Sequence, residues 1–568
     1  MGRANPVALR AVIVAGGGPR QVSRLILELQ RRCPGIEVAG VVHDQVNAIS
    51  TRQPPHSFVE WLAASNKLLS WMGHLALDIL HGGRPTQGDE QLQLRELCDQ
   101  LHLPIHEAAE GSNGDETEAF IASLRCDLGI IYDAARGDPL LITAALDRIC
   151  VVEVPTMEEA ATTINSLSQD NHASCIASKT VYRVNTSGQA VRATSLPVHR
   201  YDTATSLYWK SRVIGIDLLA STLNGDPPTP SDSRQTDTPP SIASTGEPPV
   251  AADTAAKDAV GQTPVTRAPF VASPNRPLWK LFYKSLRGFP EVVWCNWRNR
   301  RQRTYPVHGL FHHLVSERQH FLALPTDQFL RHLRFLKRHY RLVNTREAHR
   351  LLRSGLVDEP TVMLTFDDGY ADNHLNLRAL ALAIDFPATL FVCSQHVEQG
   401  KPFEHDLQDN LIGFQPLTWD QIRDLHAWGF EIGSHTRNHQ DCGDEKADLE
   451  REIVLAQDEI AAQIGAPVNA FSFPYGLPEN ICSRAVHIAT GQYDMICSAF
   501  GGTNRPTSSS KATHLRRSSH VRNLWEVELT LQEMLERHVT EHPVLDQINE
   551  PTAKVEQAGS RATRVPAG

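Results

Sequence analysis

The sequence predicts two α/β units separated by an unstructured segment, on three observations. The chain opens as strand, turn, helix, strand. A stretch near its middle loses almost all aromatic residues and fills with Pro, Ser, Thr and Ala. Beyond that stretch, apolar strand-like runs alternate with helix-like segments, and chemically loaded residues fall just past the ends of the runs. The last pattern predicts a β/α barrel or a doubly wound sheet, folds that carry functional side chains at the carboxyl ends of parallel strands.

A chain of 568 residues allows up to about four domains. Its 41% hydrophobic and 21% charged residues suit globular cores. The formal net charge of −10 disfavours a protein that coats nucleic acid, and no nucleic-acid partner is expected. No apolar run approaches the ~18 residues of a membrane span, and the first ten residues hold no apolar core of a secretion signal. Ten cysteines lie scattered without a C-x-x-C pair, which fits reduced thiols and a cytoplasmic setting.

Residues 1–223 form the first unit. Leu9–Ala15 reads as a buried strand, Gly16, Gly17 and Gly18 as a tight turn, 22–30 as a helix and 36–42 as a second strand. A further buried strand is expected at 127–131. The glycine run is G-G-G rather than G-x-G-x-x-G, so it does not specify a dinucleotide. Residues 224–277 read as a disordered Pro/Ser/Thr-rich linker, which cannot bury enough apolar surface to offset its ordering entropy. Its span of roughly 40 Å would let the flanking units fold separately.

Residues 278–303 differ from both neighbours. Trp279, Phe282, Tyr283, Phe289, Trp294 and Trp297 are interleaved with Lys280, Lys284, Arg287, Arg298, Arg300, Arg301 and Arg303 against one acid, Glu291. That mixture suits peripheral contact with an anionic membrane surface. The plainer reading is a connector whose aromatics pack onto the next domain, and Pro290 favours it by interrupting a long helix. From 304 to 541, strands are expected at 361–366, 388–393, 431–434, 469–473 and 495–499. Helices are expected at 326–338, 419–428, 445–464 and 524–538. Residues 542–568 read as a flexible tail.

Four segments carry the chemistry. Thr365-Phe366-Asp367-Asp368-Gly369 follows an apolar run, and two adjacent carboxylates repel unless a cation relieves one of them. His435 and His439 are four apart, a spacing that on one helical turn presents both imidazoles to a single ion. One Asp with two His is a three-ligand set with open positions, the pattern of a hydrolytic zinc site. Phe473-Pro474-Tyr475-Gly476 closes a strand and could offer a backbone N–H or an aromatic wall. In Leu515-Arg516-Arg517-Ser518-Ser519-His520, Arg517 could orient a carboxylate and His520 could act as an acid.

These segments resemble the polysaccharide deacetylases of the NodB-homology type, carbohydrate esterase family four. T-F-D-D-G matches the family's first motif and S-H-T-x-x-H its second, and the resemblance covers residues 306–527. It implies a distorted (β/α) barrel that removes N-acetyl groups from amino sugars with a divalent metal, zinc by default. It makes Asp367 the general base, Asp368, His435 and His439 the metal ligands, and Pro474, Tyr475 and Arg517 substrate-binding, with the Tyr475 N–H facing the oxyanion. Two departures stand out. Ser472 occupies the place of the family's base-orienting Arg, for which Arg517 is the substitute. The acid histidine is assigned to His520 with His514 as rival, while His312 and His313 are read as structural.

The first unit looks like a Rossmann-like, formyltransferase-type domain, on its opening strand, 127–131 and 201–207. The family's Asn-x-His is replaced near 149–152 by Ile-Cys-Val-Val, and its other catalytic groups are missing. The resemblance therefore implies an inactive domain. The expected partner is a carbohydrate bearing an N-acetyl or N-formyl amino sugar, in a polysaccharide, glycolipid or nucleotide sugar, met in the cytoplasm or at the inner membrane face. The competing readings are a non-catalytic two-domain scaffold and a sugar-nucleotide-binding protein.

Overall fold

The computed structural model describes residues 8–44, 88–108, 114–133, 146, 148–167, 175–184, 190–199, 202–225, 278–409, 411–506, 512–519, 524–533 and 542–549. The expected linker lies outside them apart from its first two residues, which end a helix.

The first unit is a seven-stranded sheet. Its order runs Ile105–Ala108, Ile36–Asp44, Leu9–Ala15, Leu128–Tyr132, Arg148–Glu153, Cys175–Val184, Ala190–Pro197. The first five strands are parallel and the last two antiparallel. The opening strand has Ala11 through Ala15 buried, as a two-sided parallel strand requires. Gly17 sits at φ +86° in the turn that follows, and Pro19 begins the helix Pro19–Arg32, where its missing N–H costs nothing. Val22, Leu25, Ile26 and Leu29 form that helix's inner stripe.

The second unit is a parallel barrel. Val307–His312, Thr361–Phe366, Thr389–Val392, Glu431–Ser434, Ala470–Ser472, Met495–Ser498 and Thr513–Ser519 close a ring, because the first pairs with both the second and the last. The ring is distorted at one point. Arg341–Val343 takes the first half of one edge of Thr361–Phe366, and Thr389 and Leu390 meet only its end. The five expected strands are present. Val307–His312, Arg341–Val343 and Thr513–Ser519 are additional strands of this sheet, and the last carries Arg517. Thr418 and Gln421 form a capping box on the helix Trp419–Ala427, and Asp448 caps Leu449–Ile464.

Three features differ from or add to the expectations. First, the two units are joined by charge. The helix Ala204–Asn224 of the first unit carries Lys210, whose ammonium is buried between Asp202, at 2.9 Å, and Glu317 of the second unit. Glu317 also accepts a hydrogen bond from the Thr326 N–H at 2.8 Å. Asp217 meets both Arg32 and Arg378, and Arg31 meets Asp424. Second, residues Leu278–Gln302 form a continuous 25-residue helix through Pro290. Pro290 lies on the exposed side of the helix. Four of the six aromatics expected to pack onto the barrel are exposed instead, Trp279, Tyr283, Trp294 and Trp297, with Trp279 67% exposed and Trp294 59%. Third, residues 542–549 are docked. His542 is buried with its ring nitrogen 3.0 Å from the Ile481 carbonyl, and Asn549 bonds both backbone groups of His514.

Two outcomes are expected of this packing. Lys210→Met leaves two buried carboxylates without their cation and lowers stability by about 3–5 kcal/mol in denaturant unfolding. Glu528, in the helix Leu524–Leu531, has its carboxyl pushed up to about 7 by burial, against hydrogen bonds from Gln532 and Tyr340. A raised carboxyl binds more protons folded than unfolded, so its contribution to stability falls as pH rises between the unfolded and folded values. Glu528→Gln should therefore exceed the wild type at pH 8 by on the order of 3 kcal/mol, and the gap should close below about pH 4.5.

Candidate active site

The strand Thr361–Phe366 is buried along its whole length and delivers two carboxylates at its end. The Asp367 N–H continues the ladder to the His312 carbonyl at 2.9 Å. The backbone then turns sharply, with Asp368 at φ +70° and Gly369 at φ +83°. A Cβ at Gly369 would stand 2.9 Å from Val392 Cγ1, so the turn leaves no room for a side chain there. The two carboxylates face different partners as a result.

Asp367 faces Arg517. The guanidinium donates to Asp367 Oδ1 at 2.7 Å and Oδ2 at 3.0 Å, to Thr365 Oγ1 at 2.8 Å and to Ser472 Oγ at 2.7 Å. Arg517 is fully buried on the strand that closes the barrel. Burial would raise the Asp367 carboxyl, but the Arg517 charge outweighs it and holds the group below the usual carboxylate range. Ser472, a serine where the sequence pattern wanted an arginine, accepts the tip of this guanidinium instead.

Asp368 faces the two histidines. Its Oδ1 lies 3.4 Å from His435 Nε2 and 3.3 Å from His439 Nε2, and it is buried with no hydrogen-bond partner. Burial works against the charged carboxylate, and the facing imidazoles hold it well below its ordinary value. His435 Nδ1 is 2.7 Å from the Ser472 carbonyl. Donation there leaves Nε2 as the bare nitrogen that looks at Asp368. The spacing of four arises in a turn and not on the helix the sequence suggested. Thr436 at φ +62° and His439 at φ +54° fold the loop back. Glu452 holds it by accepting from the Arg437 and Asn438 N–H groups and the Asn438 amide.

The carboxylate and the two imidazoles come within 4.8 Å of one another. An oxygen with no hydrogen bond, two imidazole nitrogens and a set of one O and two N fit a divalent cation with open positions. A cavity of about 230 Å³ opens beside them, lined by Asp367, Asp368, His435, His439, Tyr475 and Arg517 among others. Tyr475, at φ +61°, is exposed and stands with its ring 4.9 Å from that of His439. Pro474 is not on this wall and only precedes the turn.

Residues 355–490 match the family model for polysaccharide deacetylase. The C-terminal half carries a polysaccharide deacetylase domain. The chain is 28% identical over 132 residues to YxkH of Bacillus subtilis, which bears the polysaccharide deacetylase name. That match covers 23% of this chain and 42% of the relative, so the chain spans less than half the length of the protein it resembles. Among solved structures, the Streptococcus pyogenes deacetylase PplD matches 40% of this chain and 98% of its own, at 20% identity and a TM-score of 0.33. Glycinamide ribonucleotide transformylase 1 of Symbiobacterium toebii matches 39% of this chain and 87% of its own, at 11% identity and a TM-score of 0.25.

The histidines of the deacetylase domain sort differently from the sequence reading. His520 lies outside the described residues. His514 is wholly buried, with Nε2 2.7 Å from Ser498 Oγ, and burial pushes it down to about 3. It is not on the cavity wall. His312 turns into the core, where Nδ1 meets the Thr365 carbonyl at 3.1 Å. Its neighbour His313 points the other way and lines the cavity. Burial lowers the His313 ring, and the Asp368 and Asp367 charges oppose that. His405, from the short helix Glu404–Gln408, also reaches the cavity. Its Nε2 is 2.8 Å from the Tyr370 hydroxyl and 3.9 Å from Asp368 Oδ2. Only the adjacent His pair at 312–313, at a strand end, could have signalled the first of these. Nothing local marks His405.

The buried pair gives a direct expectation. Arg517→Met lowers stability by about 3–5 kcal/mol because it strands the Asp367 charge. Adding Asp367→Asn to that variant should recover a large part of the loss, read as the coupling term of a double-mutant cycle in denaturant unfolding.

Proposed function

We propose that the C-terminal domain hydrolyses the N-acetyl, or N-formyl, group of an amino sugar, with a divalent cation held by Asp368, His435 and His439. The observation that carries this is the pairing at one strand end. Asp367 is kept ionised by Arg517, beside Asp368 Oδ1, which has no hydrogen-bond partner and faces two imidazoles. When bound, the cation supplies Lewis-acid polarisation of the amide carbonyl and lowers the pKa of a water. Zinc suits one carboxylate and two imidazoles, and cobalt, nickel or manganese would also fit.

The chain's own groups do the rest. Asp367 accepts the proton of the attacking water, and Arg517 fixes both of its oxygens, so the carboxylate cannot swing away. Tyr475 forms the wall for the sugar ring, and its backbone N–H is the donor proposed for the developing oxyanion. His313 takes the role first assigned to His520. It stands in the cavity among Asp367, Asp368 and His435, where a protonated ring can hand its proton to the departing amine. The carbohydrate can be a polymer, a glycolipid or a nucleotide sugar. The nine cysteines whose side chains are described are free thiols, which supports a reducing, cytoplasmic setting. None of the residues assigned to this chemistry comes from the first unit.

The test is release of acetate or formate from small N-acylated amino sugars by purified protein with and without zinc. Asp367→Asn and His313→Ala should each lower kcat by about 10²–10⁴ while the zinc stoichiometry stays at that of the wild type. His435→Ala should lose the metal and the activity together. His520→Ala and His514→Ala should keep the wild-type pH dependence. Wild-type protein that binds zinc and leaves every such substrate intact sinks the hydrolase reading. Full activity in His313→Ala removes that residue from the mechanism.

A further inference from the structure

The helix Leu278–Gln302 presents an apolar stripe to the outside of the molecule. Trp279, Tyr283, Leu286, Trp294 and Trp297 are between 48% and 67% exposed, and Pro290 is exposed among them. Their spacings of four, three, four, four and three residues follow the 3.6-residue turn. All six therefore fall within about 80° of the helix circumference. The opposite side is the one that packs. Val292 and Asn299 are buried there, and Asn296 bonds the barrel through Gln532 and the Tyr305 hydroxyl. A surface helix ordinarily turns its apolar stripe inward, and this one does the reverse.

The stripe is bordered by cations. The helix carries Lys280, Lys284, Arg287, Arg298, Arg300 and Arg301 against Glu291 alone, a balance of 6 − 1 = +5 in a chain whose total is −10. Lys280, Arg287 and Arg298 are exposed on one flank of the stripe, Arg301 within its arc and Arg300 on the other flank. The Lys280 ammonium lies 5.5 Å from the Trp279 ring centre and the Arg301 guanidinium 5.1 Å from that of Trp297, while Trp294 and Trp297 stack at 5.0 Å. We propose that this helix docks the protein on an anionic lipid bilayer, lying in the plane of the interface with the tryptophans at headgroup level and the basic flank on the lipid phosphates. A 25-residue helix offers such a surface a contact line of ~37 Å. A protein partner or a second copy would bury the apolar stripe equally well. The one-sided excess of positive charge, and rings that are amphipathic rather than aliphatic, match headgroups better.

The position of the helix fixes how the protein would sit. A cavity of about 550 Å³ separates it from Tyr305, His308, Tyr340 and Pro360, which stand at the starts of the barrel strands. The candidate site lies at the ends of the same strands, about 20 Å away. On the reading of the site given above, the mouth then opens away from the bilayer, toward a soluble or polymeric sugar.

The experiment is co-sedimentation of the full chain with vesicles of phosphatidylcholine alone, and of phosphatidylcholine with roughly 30 mol % phosphatidylglycerol. The wild type should sediment with the second kind only and release as salt is raised. Trp294→Ser with Trp297→Ser, and separately Arg298→Gln with Arg301→Gln, should each lower the partition coefficient on the order of tenfold. Circular dichroism and thermal unfolding should not change, since these side chains are exposed. Wild-type protein that stays in solution with anionic vesicles at low salt overturns the proposal. So does sedimentation that neither pair of substitutions alters. Sedimentation velocity showing a dimer that dissociates in the tryptophan variant, without vesicle binding, assigns the stripe to a second copy and overturns it as well.

Discussion

The buried ion pair between Arg517 and Asp367 is the constraint on which the deacetylase domain turns. It crosses from the strand that closes the barrel to the strand that carries both carboxylates, with Thr365, Ser472 and the Ser498 carbonyl accepting the remaining donors. A pair so deeply buried is a poor source of net stability, because desolvation offsets most of the attraction. Its value is geometric. It fixes Asp367 in its charged form and directs it away from Asp368. Two adjacent carboxylates can then serve separate ends, one held by a guanidinium and the other left open toward two imidazoles. The order of strands around the ring is what brings Arg517 into reach of Asp367.

Much of the barrel was legible because its strands are buried on both faces and read as apolar runs. Thr361–Phe366 is the clearest case, with every residue buried. The two strands of the closed ring that escaped reading have polar letters for a structural reason. Thr513–Ser519 contains two arginines, two serines and a histidine, and Arg517 points inward because the interior at that level is the site itself. Val307–His312 contains two histidines and a glycine, and Gly309 is required where a Cβ would stand 2.5 Å from the Arg516 carbonyl. Local pattern cannot distinguish such strands from loops, since the partners that satisfy their polar groups lie on other elements, as Asp367 does for Arg517.

The same limit explains the histidines. Motif spacing found His435 and His439, because a single loop carries both. His313 and His405 come from separate elements, and the closure of the ring and a short helix over its rim bring them to the cavity. For the aromatic helix, composition gave the right residues and the wrong direction. Pro290 argued for an interruption, and only the packing of Val292 and Asn299 shows which side faces the barrel. The junction of the two units was also hidden. A buried lysine between Asp202 and Glu317 leaves no sequence signature, and its effect is to set the first unit firmly on the second.

Four residues without the freedom of glycine hold left-handed backbone at the site: Asp368, Thr436, His439 and Tyr475. Such a conformation costs on the order of 1 kcal/mol or more per residue, so the site is a reservoir of strain that the surrounding barrel keeps filled. Laboratory selection for heat resistance alone would find these positions among the first to relax, with glycine or asparagine the easy replacements. At Asp368 and His439 the relaxing change would remove the very groups that face each other. Thermal hardening and retention of the site are therefore opposed here, and a hardened variant would have to be sought in the outer helices.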